Sequence, residues 1–201
     1  MTVQPEYFDS MYQLSPDPWG FESRWYEARK YAISLAVLPA ERYCDAFEPG
    51  CSIGVLTRSL AARCDSLLSC DASPAAVTAT ARRTAELPNV RVEQRVLPGA
   101  WPEGEFDLIV LSELLYYFAG ADLDRMLDLA VTSLRPAGTL LAVHWRHPVA
   151  DYPRSGDEVH MALRGRALAR VVDHQEADFL AEVYIRGDGR PISVAEAGGL
   201  V

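Results

Sequence analysis

The stretch Glu48-Pro49-Gly50-Cys51-Ser52-Ile53-Gly54 limits what this chain can fold into more than any other. An apolar run (Tyr43, Cys44, Ala46, Phe47) leads into it, and a helix-compatible run (Val55, Leu56, Leu60, Cys64) leads out. The pattern predicts a strand, a tight glycine turn and a helix. Small residues in such a turn let a ligand approach the backbone closely. The following helix presents its free N–H groups at the same place. A second apolar run, Leu67-Leu68-Ser69-Cys70, ends in Asp71. An acid at the end of the second strand can hold the two hydroxyls of a ribose.

Other chemistries use similar turns. The dinucleotide fingerprint requires a third glycine where Val55 stands, which disfavours NAD. Gly50-Cys51-Ser52-Ile53-Gly54 also fits the Gly-x-Ser-x-Gly elbow of serine hydrolases. That elbow follows several strands, whereas the segment before Tyr43 reads as helical. A turn that binds nothing is the plainest alternative; Asp71, an independent match, argues against it.

The rest of the chain supplies alternating strands and helices. Residues 1–40 form an aromatic extension with Tyr7, Phe8, Tyr12, Trp19, Phe21, Trp25, Tyr26 and Tyr31. Pro16, Pro18 and Gly20 split it into a short helix and a second helix from Glu22 to Leu38. Strand one ends at Phe47, strand two covers Ser66–Cys70, and Ser73-Pro74 opens a helix reaching Glu86. Strand three is Val90–Val96. Strand four, Phe106–Leu111, is continuously apolar, as expected for a strand buried on both faces of a parallel sheet.

A helix from Asp122 carries Leu123, Met126, Leu127, Ala130 and Leu134 on one face. Pro136-Ala137-Gly138 then turns into strand five, Thr139–Trp145. Asp157–Leu163 reads as a short helix. Ala169–Gln175 and Phe179–Arg186 alternate, predicting an antiparallel pair. Together these imply an α/β sandwich with a mostly parallel sheet.

Glu-x-Gly-x-x-x-Gly with an acid at the next strand end resembles the nucleotide site of S-adenosylmethionine-dependent methyltransferases. With Asp17-Pro18-Trp19-Gly20-Phe21, Trp25-Tyr26 and Ser112-Glu113-Leu114-Leu115-Tyr116-Tyr117, the chain resembles the nodulation protein S group of that class. Ser52 departs from the more usual central glycine. The resemblance implies a class I, Rossmann-like fold: a three-layer sandwich whose seven-stranded sheet has its last strand inserted antiparallel. It also implies one methyltransferase domain over 1–201, with residues 1–40 as a helical lid and 41–201 as the core. The implied reaction is N-methylation of an amino-sugar-like or hydroxylated small molecule by S-adenosylmethionine, with S-adenosylhomocysteine as product. O-methylation of a small secondary metabolite is the first alternative. A non-catalytic cofactor-binding module is a second, and a serine hydrolase using Ser52 a third.

Open α/β sheets bind ligands beyond the carboxyl ends of their strands, which ranks the candidate residues. Glu48, Gly50, Ser52 and Gly54 are expected around the methionine part of the cofactor. Asp71 is expected at the ribose, with Ala72 on the adenine and Arg95, Val96 and Leu97 flanking it. Many relatives have an acid where Val96 stands, so another group must meet the adenine amine here. Ser112 and Glu113 fall at the mouth between cofactor and acceptor, and Glu113 is a candidate to orient or deprotonate an amine. Of Tyr116 and Tyr117, the second is the better candidate to face the pocket; Tyr116 is a substrate-side candidate.

After strand five come His144, Arg146, His147 and Asp151. His147, just beyond the strand and before Pro148, is the first candidate for general base. Arg146 and Asp151 are candidates to hold acceptor hydroxyls or a charge, or to pair within the loop. His144 reads as a core histidine, and no role is expected of His160 or His174. Trp19, Trp25 and Tyr26 are expected to close over the sulfonium with cation–π attraction. Arg29 and Lys30 could reach the methionine carboxylate.

Composition narrows the partners. The 201 residues carry a net charge of −9, with a pI near 4.9, which argues against nucleic acid or an anionic membrane as substrate. The partner expected is a small-molecule acceptor. Cys44, Cys51, Cys64 and Cys70 lack Cys-x-x-Cys spacing and read as free thiols, three of them in or beside apolar runs, and no metal site is expected. Neither a signal peptide nor a membrane-length apolar run is evident, so a cytoplasmic location is expected.

Overall fold

The structure is a computed structural model that describes residues 1–187 and 192–201. Seven strands form one sheet: β1 (Tyr43–Pro49), β2 (Cys64–Asp71), β3 (Val90–Gln94), β4 (Phe106–Ser112), β5 (Leu134–Trp145), β6 (Leu168–Gln175) and β7 (Phe179–Arg186). Their spatial order is β3-β2-β1-β4-β5-β7-β6. The first five strands pair in parallel, and β7 slots between β5 and β6 antiparallel to both. This is the expected seven-stranded, mostly parallel sheet with its last strand inserted antiparallel.

Six helices precede or link the strands: α1 (Pro5–Leu14), α2 (Trp25–Ala36), α3 (Val55–Ala61), α4 (Pro74–Arg83), α5 (Ala121–Ser133) and α6 (Gly156–Arg164). Side chains alternate across a strand, so each central strand feeds two cores. Ile109 and Leu111 of β4 join Leu123, Met126 and Leu127 of α5 and Val159 and Leu163 of α6. Leu108 and Val110 join Leu56 and Leu60 of α3, with Tyr31 and Ile33 of α2 at the margin. The sheet is thus covered on both faces, which is why β4 is continuously apolar. Among the described residues, no helix is long and apolar enough to cross a membrane.

Several element ends differ from expectation for local reasons. α2 begins at Trp25 rather than Glu22, because the Asp17 carboxylate captures the N–H groups of Phe21 (2.9 Å) and Glu22 (3.0 Å) in a turn. β5 begins at Leu134: it pairs with Phe106, loops out around Pro136-Ala137-Gly138, and resumes at Thr139 opposite Leu108. β7 is buried from Phe179 to Tyr184 rather than alternating, because it is an interior strand, while the edge strand β6 keeps the alternation.

Candidate active site

A cleft opens at the carboxyl ends of β1, β2 and β4, under the N-terminal extension. Its floor is the glycine turn. Gly50 and Gly54 have φ of +76° and +78°, and Ser52 has φ of +50°. A Cβ on Gly54 would stand 2.8 Å from the Thr80 side chain, and one on Gly50 would stand 3.0 Å from Leu114. Glycine is therefore needed at both positions for conformation and for space. The amides of Gly50 (2.7 Å) and Cys51 (2.9 Å) both donate to the Cys70 carbonyl, which fixes the turn against β2.

Asp71 ties the turn to the next helix. One carboxylate oxygen accepts from the Ser52 amide (2.9 Å) and the other from the Ser73 amide (3.0 Å) at the start of α4. Asp71 also lines the cleft, and each of its oxygens keeps acceptor capacity beyond these two bonds. Glu48 lies deeper and is 3% exposed, with Ser69 Oγ donating to it at 2.8 Å. Burial pushes its carboxyl up to about 7, against the lowering effect of the Thr57 and Ser69 hydroxyls.

The extension closes over this floor. Phe8 and Tyr12 of α1, with Trp19, Phe21 and Tyr31, line the cleft. Trp19 stacks on Phe21 with centroids 5.5 Å apart, and Tyr12 meets Trp19 edge-on at 5.6 Å. Hydrogen bonds from α1 and its neighbours pin the cover down. Tyr12 and Ser52 share one at 2.6 Å, Ser73 Oγ donates to Asp9 at 2.7 Å, and the Val3 amide donates to the Tyr117 carbonyl at 2.9 Å.

The far wall comes from the segment after β4. Glu113 has φ of +52° and its side chain lines the cleft, but its oxygens are already engaged. It accepts from Lys30 Nζ (2.7 Å), from the Tyr116 hydroxyl and from the Trp145 amide (3.1 Å). Lys30 is 2% exposed and also pairs with Glu27 at 2.9 Å. Burial works against its charge, yet Glu113 and Glu27 outweigh burial and raise its pKa. Tyr117 reaches the cleft and shares a 3.1 Å hydrogen bond with the Tyr152 hydroxyl. Burial, then Tyr152, holds the Tyr117 phenol far above its ordinary value, so it stays protonated.

The cleft brings together Trp19, Glu48, Gly50, Ser52, Asp71, Ala72, Arg95, Val96, Leu97, Ser112, Glu113 and Tyr117 from the expected set. Gly54 sits behind them as the N-cap of α3. Other expectations are corrected. Arg29 is turned outward in a bidentate pair with Glu176 (2.7 and 2.8 Å), because α2 presents it on the solvent side. Tyr26 packs edge-on against Trp145 and Phe179 outside the cleft, and Trp25 is 78% exposed. Lys30 holds Glu113 instead of reaching into the open space.

The strand-five end is likewise consumed by its own partners. His147 is half exposed and pairs with Asp178 at 2.7 Å, outside the cleft. Arg146 pairs with Asp157 (2.8 Å) and donates to the Glu176 carbonyl (2.7 Å), while Asp151 is exposed on the loop. Tyr116 is buried between His144 and Tyr152 with its hydroxyl on Glu113. A hydrolase is also disfavoured, since Ser52 Oγ meets Tyr12 and the four histidines are engaged elsewhere.

The sequence reasoning missed Phe8, Tyr12, Phe21 and Tyr31 as cleft residues. Phe8 and Tyr12 lie four apart in α1, which already placed them on one helical face.

The family profile of nodulation protein S (NodS) matches residues 12–175. The chain belongs to the nodulation protein S family. A nodulation protein S from Bradyrhizobium diazoefficiens is 27% identical over 159 residues, covering 77% of this chain and 76% of that protein. A crystal structure from Pseudomonas syringae, provisionally described as a methyltransferase, is 48% identical with a TM-score of 0.73 and covers 81% of this chain and all (100%) of its own. The N-methyltransferase NodS from Bradyrhizobium japonicum WM9, crystallised with S-adenosylhomocysteine, has a TM-score of 0.81 at 24% identity. It covers 90% of this chain and 98% of its own. Across this nodulation protein S likeness, the sheet and its covering helices are shared.

Proposed function

We propose that this protein is an S-adenosylmethionine-dependent N-methyltransferase acting on the amino group of a small, hydroxylated or amino-sugar-like acceptor. It is a methyltransferase of the nodulation protein S family, and the acceptor class is our own assignment. The observation that carries the proposal is the cleft itself: a glycine turn held by Asp71, with Glu48 beneath and an aromatic cover above.

The residues present fit the cofactor. Glu48 and the turn at Gly50 and Ser52 would hold the methionine end, where a buried carboxyl suits an ammonium group. Asp71 would take the ribose hydroxyls, and Ala72, Val96 and Leu97 would pack on the adenine. Trp19 would face the sulfonium. When bound, the cofactor supplies an electrophilic methyl group.

What remains for the protein is alignment and exclusion of water. An attacking amine must be neutral. The Tyr117 hydroxyl, kept protonated and oriented by Tyr152, can accept from an amine N–H and aim its lone pair. Glu113 has Lys30 and Tyr116 as fixed partners, so its role is to shape the wall rather than to take the proton. Residues 1–40 would act as a lid on the 41–201 core, in one methyltransferase domain. Cys51, Cys64 and Cys70, buried as free thiols, suit a reducing, cytoplasmic setting.

The test is calorimetric titration of the full chain with S-adenosylmethionine and S-adenosylhomocysteine, then an acceptor screen of amino sugars against phenols. Micromolar binding and transfer to an amine are expected. Binding with transfer only to phenols would replace N- with O-methylation; no binding would overturn the assignment.

A further inference from the structure

Behind the wall of the cleft, and outside it, three buried side chains form a line. Leu115 N–H donates to His144 Nε2 at 3.2 Å. His144 Nδ1 lies 3.1 Å from His160 Nε2, and His160 Nδ1 lies 2.5 Å from Glu182. His144, His160 and Glu182 are each 0% exposed. They come from β5, α6 and β7, so the line crosses three elements to reach one loop amide.

The hydrogen-bond roles admit one arrangement of protons. Glu182 is a carboxylate: Arg164 and Arg170 (2.6 Å) donate to one oxygen, and Tyr184 (2.5 Å) donates to the other beside His160. Burial alone would raise its pKa, but the His160, Tyr184 and Arg164 hydrogen bonds hold it far below the carboxylate range. His160 must then carry its proton on Nδ1 and accept at Nε2. His144 must in turn carry its proton on Nδ1, which leaves Nε2 to accept from Leu115. If His160 were doubly protonated, its Nε2–H would oppose the Nδ1 proton of His144. His144 would then move its proton to Nε2, donor against donor with the Leu115 amide.

We infer that the His144–His160–Glu182 line is a tautomer lock that positions residues 113–117, the wall of the cleft that carries Glu113 and Tyr117. His160 and Glu182 are thus positioning residues, acting through His144 on the loop. A core histidine at this place requires only packing. A continuous line ending on the amide between two cleft-lining residues does more. The Glu113 amide makes the last sheet bond, to the Val143 carbonyl at 2.8 Å, and its φ of +52° then turns the chain away, so Leu115 lies beyond the pairing with β5. The kinetic part of the inference rests on the methyltransferase assignment; the proton arrangement does not.

The experiment has two arms on the full chain. Long-range nitrogen–proton NMR of the histidine side chains reads the tautomers directly. Both His144 and His160 are expected in the neutral Nδ1–H form, and the Leu115 amide is expected to be protected from exchange. The second arm compares His160→Gln with His160→Leu. The glutamine carbonyl can accept from His144 and its NH₂ can donate to Glu182, so it preserves the line. Leucine cuts it.

His160→Leu is expected to lower kcat by about ten- to a hundredfold with the KM for cofactor little changed, and to leave the His144 Nδ1–H without an acceptor, so that the Leu115 amide loses its protection from exchange. His160→Gln is expected to restore most of kcat and to keep the Nδ1–H form. An Nε2–H tautomer for His144 in the unaltered protein would overturn the inference. So would equal kcat values in the two variants. If His160→Leu does not fold, the tautomers of the unaltered protein and the kcat of His160→Gln still decide. Should no acceptor be methylated at all, the NMR arm alone tests the lock.

Discussion

The ends of β1 and β2 and the end of β5 are both rich in polar residues, but they differ in where the hydrogen bonds go. At the β1–β2 end, Asp71 and the glycine turn line the cleft with the buried Glu48 beneath them, and Ser69, Ser52 and Ser73 anchor the two carboxylates. At the β5 end, Arg146, His147 and their carboxylate partners satisfy one another at the surface. A polar cluster becomes a site when its supporting contacts leave lone pairs free toward a cavity. It becomes a structural clasp when they do not. The segment after β4 is intermediate: Glu113 faces the cleft, yet Lys30, Tyr116 and the Trp145 amide engage it.

The largest effect that separates these cases should come from Lys30→Met. It leaves Glu113 and the 7% exposed Glu27 without their cation inside the protein. Breaking one side of a buried pair costs about 3–5 kcal/mol. Urea unfolding should show that loss. A change under about 1 kcal/mol would mean that Glu113 and Glu27 reach water, and would return Glu113 to the candidates for proton transfer.

Glu48→Gln should act in the opposite direction on stability. The Glu48 carboxyl titrates near 7 in the folded protein against an ordinary 4.5. Between those values the folded chain holds a proton that the unfolded chain has released, so stability falls as pH rises through that window. Removing the titration should therefore stabilise the ligand-free protein at pH 8 by up to about 3 kcal/mol, while weakening cofactor binding. Thermal unfolding at pH 5 and pH 8 checks the sign: the gain should be present at pH 8 and nearly gone at pH 5. A loss of stability at pH 8 would place Glu48 among the structural clasps.

Asp71→Ala should cost both stability and affinity, since the same carboxylate holds the Ser52 and Ser73 amides and faces the cleft. Hydrogen bonds to a charged group are worth about 1.5–3 kcal/mol. A comparable loss in cofactor affinity by calorimetry would mark the ribose contact. Loss of stability alone would make Asp71 a clasp for the turn.

The sheet was legible because its determinants are local: glycine positions, apolar runs and the Ser73-Pro74 helix start all act within a few residues. The turn and Asp71 were legible for the same reason. The cover was legible only as aromatic density, because which face of α1 and α2 turns inward depends on long-range partners. Asp17 shortened α2 through hydrogen bonds to the Phe21 and Glu22 amides, and the partners of Tyr26 and Arg29, Trp145 and Glu176, lie more than a hundred residues away. His147 was misleading for the mirror-image reason. Its partner Asp178 lies across the β6–β7 turn, and nothing near His147 in sequence announces it. Lys30 and Glu113 are likewise remote in sequence and adjacent in space.

His147→Ala should have the smallest effect, and it tests the comparison most directly. The imidazole and Asp178 are each about half exposed, and such pairs contribute little in water. Stability should change by no more than about 0.5 kcal/mol. The profile of kcat against pH should overlay that of the unaltered protein, because a group outside the cleft is beyond hydrogen-bond reach of an acceptor amine. If kcat instead falls and the acid limb of its pH profile disappears, the β5 loop must close onto the cleft during turnover. The surface pair with Asp178 would then belong to an open state, and the end of β5 would join the working half of the molecule.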